Sequence, residues 1–175
     1  MMKIFSPHFD DIQNAILENG HDSKIGLQCS CGSGTAKFRC QECFSSLPSC
    51  VKCLVATHQH LPLHLVQEWT GTYFRWRTLE SLGLTIFLGH RGQRCPNASN
   101  RFQEGPTGRA TIIVNTNGIQ LSHVEYCHCI PTATKALQLI RAGLFPATMD
   151  QPDTAFTFTV LNNFHVHTLA LKKLA

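Results

Sequence analysis

Residues 29–64 read CSCGSGTAKFRCQECFSSLPSCVKCLVATHQHLPLH. Six of the nine cysteines and three of the ten histidines fall in these 36 residues. They come as ordered pairs: Cys29-x-Cys31, Cys40-x-x-Cys43, Cys50-x-x-Cys53, then His58 and His64. A Cys-x-x-Cys turn points two sulfurs at one ion, and zinc takes four ligands in a tetrahedron, so eight ligands imply two ions. Sequential pairing would make two separate loops. Pairing the first with the third and the second with the fourth would interlock the segment around both ions, and the short gaps favour it. Cys29, Cys31, Cys50 and Cys53 are thereby assigned to one zinc, and Cys40, Cys43, His58 and His64 to the other. His60 reads as a solvated neighbour. The loops between the knuckles carry few apolar side chains, Phe38, Phe44 and Leu47 being the largest.

Working outward, the composition is that of a globular chain. It has 175 residues, 43% hydrophobic and 15% charged, with 15 Lys+Arg against 11 Asp+Glu. That excludes a disordered tail and a supercharged nucleic-acid binder. No apolar run approaches the roughly 18 residues of a membrane helix, and the N-terminus, MMKIFSPHFDD, lacks a signal-peptide core. An intracellular chain with reduced thiols is expected. An odd cysteine count also argues against a closed disulfide framework and for metal. Bound thiolates change the charge: with nine thiolates and three zinc ions the formal +4 falls to about +1. The basic balance is therefore weak support for nucleic-acid binding, whose usual footprint is a concentrated basic patch.

The remaining cysteines are Cys95, Cys127 and Cys129, with His90 ahead of them in GHRGQRCP. Ile112–Val114 and Ile119–Val124 are strand-like, and Asn117-Gly118 is a hairpin turn signal. A hairpin could return Cys127 and Cys129 to His90 and Cys95, giving a third site of three thiolates and one imidazole. The alternative is three buried thiols and a surface histidine. His128 competes as a ligand, but an extended Cys-x-Cys directs its side chain away from the sulfurs.

Elsewhere, residues 1–28 read as a lead helix capped by Ser6 and ended by Gly20. His64–Trp69 and Leu84–Leu88 read as strands, Arg77–Leu82 as a short helix, and residues 97–108 as a loop. Thr134–Leu144 reads as a helix with Ala136, Leu137, Ile140 and Leu144 on one face. The last segment is ambiguous: Phe156, Phe158 and Val160 alternate like a strand, whereas Val160, Phe164, Thr168 and Leu171 fit a helix. The expected fold is α+β. It comprises a lead segment over 1–28, a small cross-braced double-zinc module over 29–70, and a subdomain over 71–175 with the hairpin, the third zinc site and C-terminal helices.

The ordered set CQECF, CVKC, HQHLPLH, LGLTIFLGH, CPN, NGI, VEYCHC, LIRAGLFPAT and TAFTFTVLNNFH resembles the CxC-type cysteine-cluster domain associated with KDZ (Kyakuja–Dileera–Zisupton) transposases of fungi. The resemblance spans residues 5–172. It implies ligands at Cys40, Cys43, Cys50, Cys53, His58, His64, His90, Cys95, Cys127 and Cys129, and favours His58 and His64 over His60. The sequence departs from the pattern at His128, where a small residue is common, and at the narrow Cys29/Cys31 pair. In such proteins the cluster precedes a large RNase H-like catalytic region, so the chain reads as a truncated copy carrying the zinc part. The first eight ligands also resemble a B-box, a zinc module used mainly for protein contacts.

The functional expectation is a non-catalytic zinc module of a transposable element, binding DNA or assembling the transposase, and nuclear in location. The alternative is a B-box-like protein-interaction module. Neither a membrane nor a small-molecule partner is expected. A zinc enzyme would need an open coordination position, and here each ligand group is a closed four. His123-Val124-Glu125 copies the H-x-E of zinc deaminases, but no P-C-x-x-C follows at a workable distance, so His123 and Glu125 read as outward strand residues. With only eleven acids, and Asp10, Asp11 and Asp22 in the lead segment, no carboxylate cluster for magnesium is evident. Arg75, Arg77, Arg91, Arg94, Arg101 and Arg109 form the candidate phosphate-contacting set, interleaved at its start with Tyr73, Phe74 and Trp76.

Overall fold

The computed structural model describes residues 5–20, 22–44, 46–98, 107–129 and 134–172. After a 3-10 turn at Ser6–His8, helix α1 runs Phe9–Gly20. Pro7 sits in the first turn as expected, but Phe5, not Ser6, occupies the cap position, and no side chain caps the turn. Phe9 and Ile16 on α1 remain exposed.

Two sheets follow. The first is antiparallel in the order β1-β2-β3, with β1 at Phe38–Cys40, β2 at Leu65–Trp69 and β3 at Phe74–Thr78. Helix α2, Val51–Thr57, packs Leu54 into a small core with Phe38, Val66, Leu79 and Leu84. The sequence expectation of a helix over Arg77–Leu82 is corrected here. Arg77 and Thr78 pair with Val66 and Leu65 in β3, and only Glu80–Leu82 makes a single 3-10 turn. Ladder hydrogen bonds to β2 override a weak helical pattern, because strand formation depends on the available partner.

The second sheet has five strands in the order β4-β6-β5-β8-β7. Its members are β4 (Thr85–Phe87), β5 (Arg109–Asn115), β6 (Gly118–Glu125), β7 (Leu144–Pro146) and β8 (Thr154–Thr157). β5 and β6 form the expected hairpin, whereas β4 runs parallel to β6 and β8 parallel to β5. One face packs Ile113, Val124 and Ala155 against Leu139 of helix α3, Lys135–Arg141. Thr134 caps α3 by accepting from the Leu137 N–H. The helix is shorter than expected: Leu144 has left it to begin β7, and its buried residues are Ala136, as expected, and Leu139 in place of Leu137. In the last segment the helical pattern of Val160, Phe164, Thr168 and Leu171 is realised, and of the alternating set only Phe156 is strand: β8 ends at Thr157 and helix α4 runs Phe158–Lys172.

Toward the hairpin end, the opposite face of this sheet is apolar and largely exposed. Register aligns Ile119 with Val114, Val114 with Phe156, and Phe156 with Phe145, and a second row pairs Leu121 with Ile112. Ile119 is 75% exposed and Ile112, Leu121 and Phe145 are each nearly half exposed. Among the described residues no helix is long and apolar enough to cross a membrane.

Adjacent residues on β5 thus meet opposite environments. Ile113→Ala leaves a cavity in a fully closed core and is expected to cost about 2–5 kcal/mol, whereas Ile112→Ala should fall within about 0.5 kcal/mol of the parent. Urea unfolding of the two variants tests the assignment of faces; equal losses would contradict it.

Candidate metal centres

The first four-donor group is assembled by a tight loop and a bridge. Gln28 and Thr35 pair across the turn, with the Cys29 N–H donating to the Gly34 carbonyl at 2.7 Å. Phe38 pairs with Ser49, which sets Cys50 beside Cys29 at the start of α2, and the Cys50 N–H donates to Cys29 Sγ at 3.3 Å. The ligand atoms of Cys29, Cys31, Cys50 and Cys53 lie within 4.8 Å of one another.

The second group uses both ends of other elements. Cys40 closes β1, Cys43 follows in the turn, His58 caps the C-terminus of α2, and His64 directly precedes β2. The register Cys40↔Val66 draws Cys40 to His64. Cys40, Cys43, His58 and His64 again fall within 4.8 Å. The His58 Nδ1–H is committed to the Leu54 carbonyl at 2.9 Å, which leaves Nε2 as the donor atom. The two groups therefore alternate along the chain, and α2 carries a member of each in Cys53 and His58.

The third group is His90, Cys95, Cys127 and Cys129. The hairpin turn alone does not bring it together. β4 and β6 are parallel, with Phe87 level with Glu125, so the chain leaves both strands at the same sheet end. His90 and Cys95 follow β4; Cys127 and Cys129 follow β6. Gly89 is required at the crossing, because a Cβ there would sit 3.1 Å from the Cys127 Cβ. The Gln138 side chain on α3 brackets Cys127, accepting from its N–H at 2.7 Å and donating to its carbonyl at 3.0 Å. Sequence reading gave Gln138 no role, and nothing beyond its place on a helix could have signalled one. His128 stays outside the group; its backbone N–H donates to Cys95 Sγ at 3.4 Å.

The donor spacings fit one ion per group. A tetrahedral ion with metal–sulfur bonds of about 2.3 Å and metal–nitrogen bonds of about 2.0–2.1 Å sets S···S edges of about 3.8 Å and S···N edges of about 3.5 Å. The Sγ atoms of Cys31 and Cys50 are 3.6 Å apart, those of Cys95 and Cys129 3.6 Å, and those of Cys95 and Cys127 3.9 Å. Sulfur–nitrogen distances are 3.5 Å for Cys40–His64, 3.4 Å for Cys43–His58 and 3.2 Å for Cys127–His90. Disulfide sulfurs would be about 2.0 Å apart, and all nine cysteines are free thiols.

Crowding decides where the protons sit. Backbone N–H groups of Cys31 and Cys50 bring the Cys29 thiol down to about 6. The neighbouring sulfurs, Cys31 first and then Cys50, push Cys53 up to about 12. Burial raises Cys95, but the N–H groups at His128 and Asn97 outweigh it and leave the thiol at about 6. Cys95 in turn pushes Cys129 up to about 11. In the second group, burial and then Cys40 raise Cys43. Like charges this close cannot all ionise, so a bare group keeps protons that a divalent ion would displace.

Most of the expected arginine set is engaged with acids. Glu68 takes Arg75 at 2.7 Å and lies 3.6 Å from Arg77. Arg94 pairs with Glu125 at 3.3 Å, and Arg109 pairs with Asp153. Arg101 lies outside the described residues. Glu125, expected to point outward, is instead buried; it accepts from Thr107 Oγ1 at 2.6 Å, and His123 faces Glu80 at 3.2 Å. That face of β6 is covered by the segments around residues 80, 94 and 107. Tyr73 and Trp76 are exposed, while Phe74 packs on Trp69 at 4.9 Å beneath the Arg39 guanidinium.

Metal uptake should release protons, because Cys53 and Cys129 hold theirs in the bare groups at neutral pH. The raised thiol pKa values make the sign definite: affinity rises with pH and falls on acidification. An increase of about tenfold or more per pH unit is expected between pH 6 and 8. Calorimetry in buffers of different ionisation heat measures both slope and proton release, and a flat profile would contradict the thiolate assignment.

The family model for the CxC2-like cysteine cluster associated with KDZ transposases matches residues 79–175. No curated protein and no solved structure matches the chain. The matched segment begins immediately after β3 and contains the second sheet and the third donor group, while the first two groups precede it. More than half of the chain lies within the match, and its spaced cysteines are those of a cysteine cluster. The chain accordingly belongs to the CxC2-like cysteine-cluster family associated with KDZ transposases.

Proposed function

We propose that the chain is a zinc-stabilised, non-catalytic module working beside a KDZ-type transposase, and that it serves transposase assembly. The observation that carries this reading is the trio of closed four-donor groups. Mixed thiolate and imidazole donors at tetrahedral spacing suit zinc. Four protein ligands per ion leave no position for water or substrate, which makes the ions structural. The alternation of the first two groups supports a B-box-like cross-brace, with α2 tying one ion to the other.

Assembly is favoured over nucleic-acid binding by the distribution of surface chemistry. The row of Ile119, Ile112, Leu121 and Phe145 is a contiguous apolar face of the kind that marks protein contacts. The arginines best placed for phosphate contact are largely neutralised by Glu68, Glu125 and Asp153. A DNA-binding reading retains one specific support, Arg91, which has no acid partner among the described residues. Either role places the protein in the nucleus.

Native mass spectrometry should find three zinc ions, and one or fewer would sink the structural-zinc reading. Chelation should unfold residues 29–64, because each structural site supplies folding energy on the order of 10 kcal/mol and the loops have little core of their own. Cys43→Ser should reproduce this locally, as read by amide exchange. Phe145→Ser with Ile119→Ser should abolish association with a purified KDZ transposase while leaving zinc content unchanged. If association survives and Arg91→Ala instead removes salt-sensitive DNA binding, the DNA reading takes over. Magnesium-dependent nicking by the purified chain would overturn the non-catalytic assignment.

A further inference from the structure

A cavity of about 500 Å³ lies between the turn after α2, the end of β4 and α3. Pro62, Ile86, Phe87 and Leu88 give it apolar walls, Arg91 and Arg141 are its cationic lining residues, no carboxylate lines it, and Cys127 of the third donor group borders it. Neither arginine has an acid partner among the described residues. His60, which sequence reading set aside as a bystander, also lines it and meets the backbone of Gly92 closely: a Cβ on Gly92 would come 3.1 Å from its ring.

The loop that carries Arg91 is conformationally unusual. Gly89, His90, Arg91 and Gly92 have φ of 91°, 46°, 55° and 80°. Glycine adopts this left-handed region freely, but a residue with a Cβ does not. His90 is explained by its place in the third donor group. Arg91 has no such role: among the described residues its side chain joins no donor group and no ion pair, yet its φ of 55° is one that glycine adopts more readily. Residues held in such conformations cluster at ligand-binding sites.

We propose that this cavity binds a phosphate monoester carrying a flat apolar group, the chemistry that a nucleoside 5′-monophosphate or the 5′-phosphorylated end of a DNA strand presents. Two unpaired guanidiniums match the charge of a phosphate monoester, about −1.5 to −2 at neutral pH, whereas a carboxylate would leave one guanidinium uncompensated. Guanidinium–phosphate hydrogen bonds are charge-assisted and geometrically specific. The apolar walls take the flat group, and the volume lies within the range of ordinary small-ligand sites. The site was not anticipated from the sequence, which pointed to no small-molecule partner, and it does not depend on the assembly role.

Calorimetry on the zinc-loaded full chain tests it, with adenosine 5′-monophosphate, adenosine and inorganic phosphate as probes. Saturable one-to-one binding of the monophosphate is expected, with adenosine and inorganic phosphate each at least tenfold weaker. Arg141→Ala, on α3 and not a member of any donor group, should weaken the monophosphate at least tenfold with zinc content unchanged; Arg91→Ala should do the same. A blunt duplex with a 5′-phosphate binding better than its 5′-hydroxyl twin would assign the site to a DNA end, and equal binding of the two duplexes beside tight monophosphate binding would assign it to a free nucleotide. No saturable binding of either phosphorylated probe, inorganic phosphate matching the nucleotide, or unchanged affinity in both arginine variants would overturn the proposal.

Discussion

Four soft donors within 4.8 Å of one another are an electrostatic conflict that a divalent cation resolves, and this chain contains three such groups. Backbone N–H groups favour one thiolate in each all-described sulfur set, at Cys29 and Cys95, and that thiolate then raises its neighbours. A cation would remove the conflict by displacing the remaining protons and binding the thiolates, and would fix loops that bury little apolar surface. The first 64 residues depend on this most, since their core around Leu54 and Val66 is small. Such a core alone gives modest stability in a segment of this size.

The second half is held differently. Its sheet buries Ile113, Val124, Leu139 and Ala155, a conventional apolar core, and the third donor group sits at one end of it. Parallel pairing of β4 with β6 gives both strands the same exit, so one sheet end delivers all four donors. The family match follows this half from Leu79 onward. The two halves meet where Gln59 donates to the Thr85 carbonyl at 3.1 Å and where Asn117 and Gln120 both donate to the Leu63 carbonyl at 2.8 Å. The loop bearing His58 and His64 is thereby anchored to the hairpin.

Four arginines of the strands and loops are paired internally. Glu68 serves two strand arginines, and buried Glu125 is satisfied by Arg94 and Thr107. Large apolar side chains also stay exposed, on the outer sheet face and along α1. This distribution is the ground on which the proposed assembly role rests.

Spacing along the chain carried the donor chemistry: Cys-x-x-Cys turns and the His58/His64 pair announce tetrahedral sites because a knuckle is a local structure, set by a few neighbouring residues. The Asn117-Gly118 hairpin was legible for the same reason. Tertiary structure decided what local signals do not encode. Arg77 and Thr78 became strand because β2 offers them a hydrogen-bonding edge, and Leu144 left its helix because β8 offers another. Glu125 turned inward because distant residues 94 and 107 cover it. The parallel register that unites His90 with Cys127, and the cavity that gathers Arg91, Arg141 and His60, come from residues far apart in sequence. Contacts of that range depend on how whole strands are ordered in a sheet, which no short window of sequence specifies.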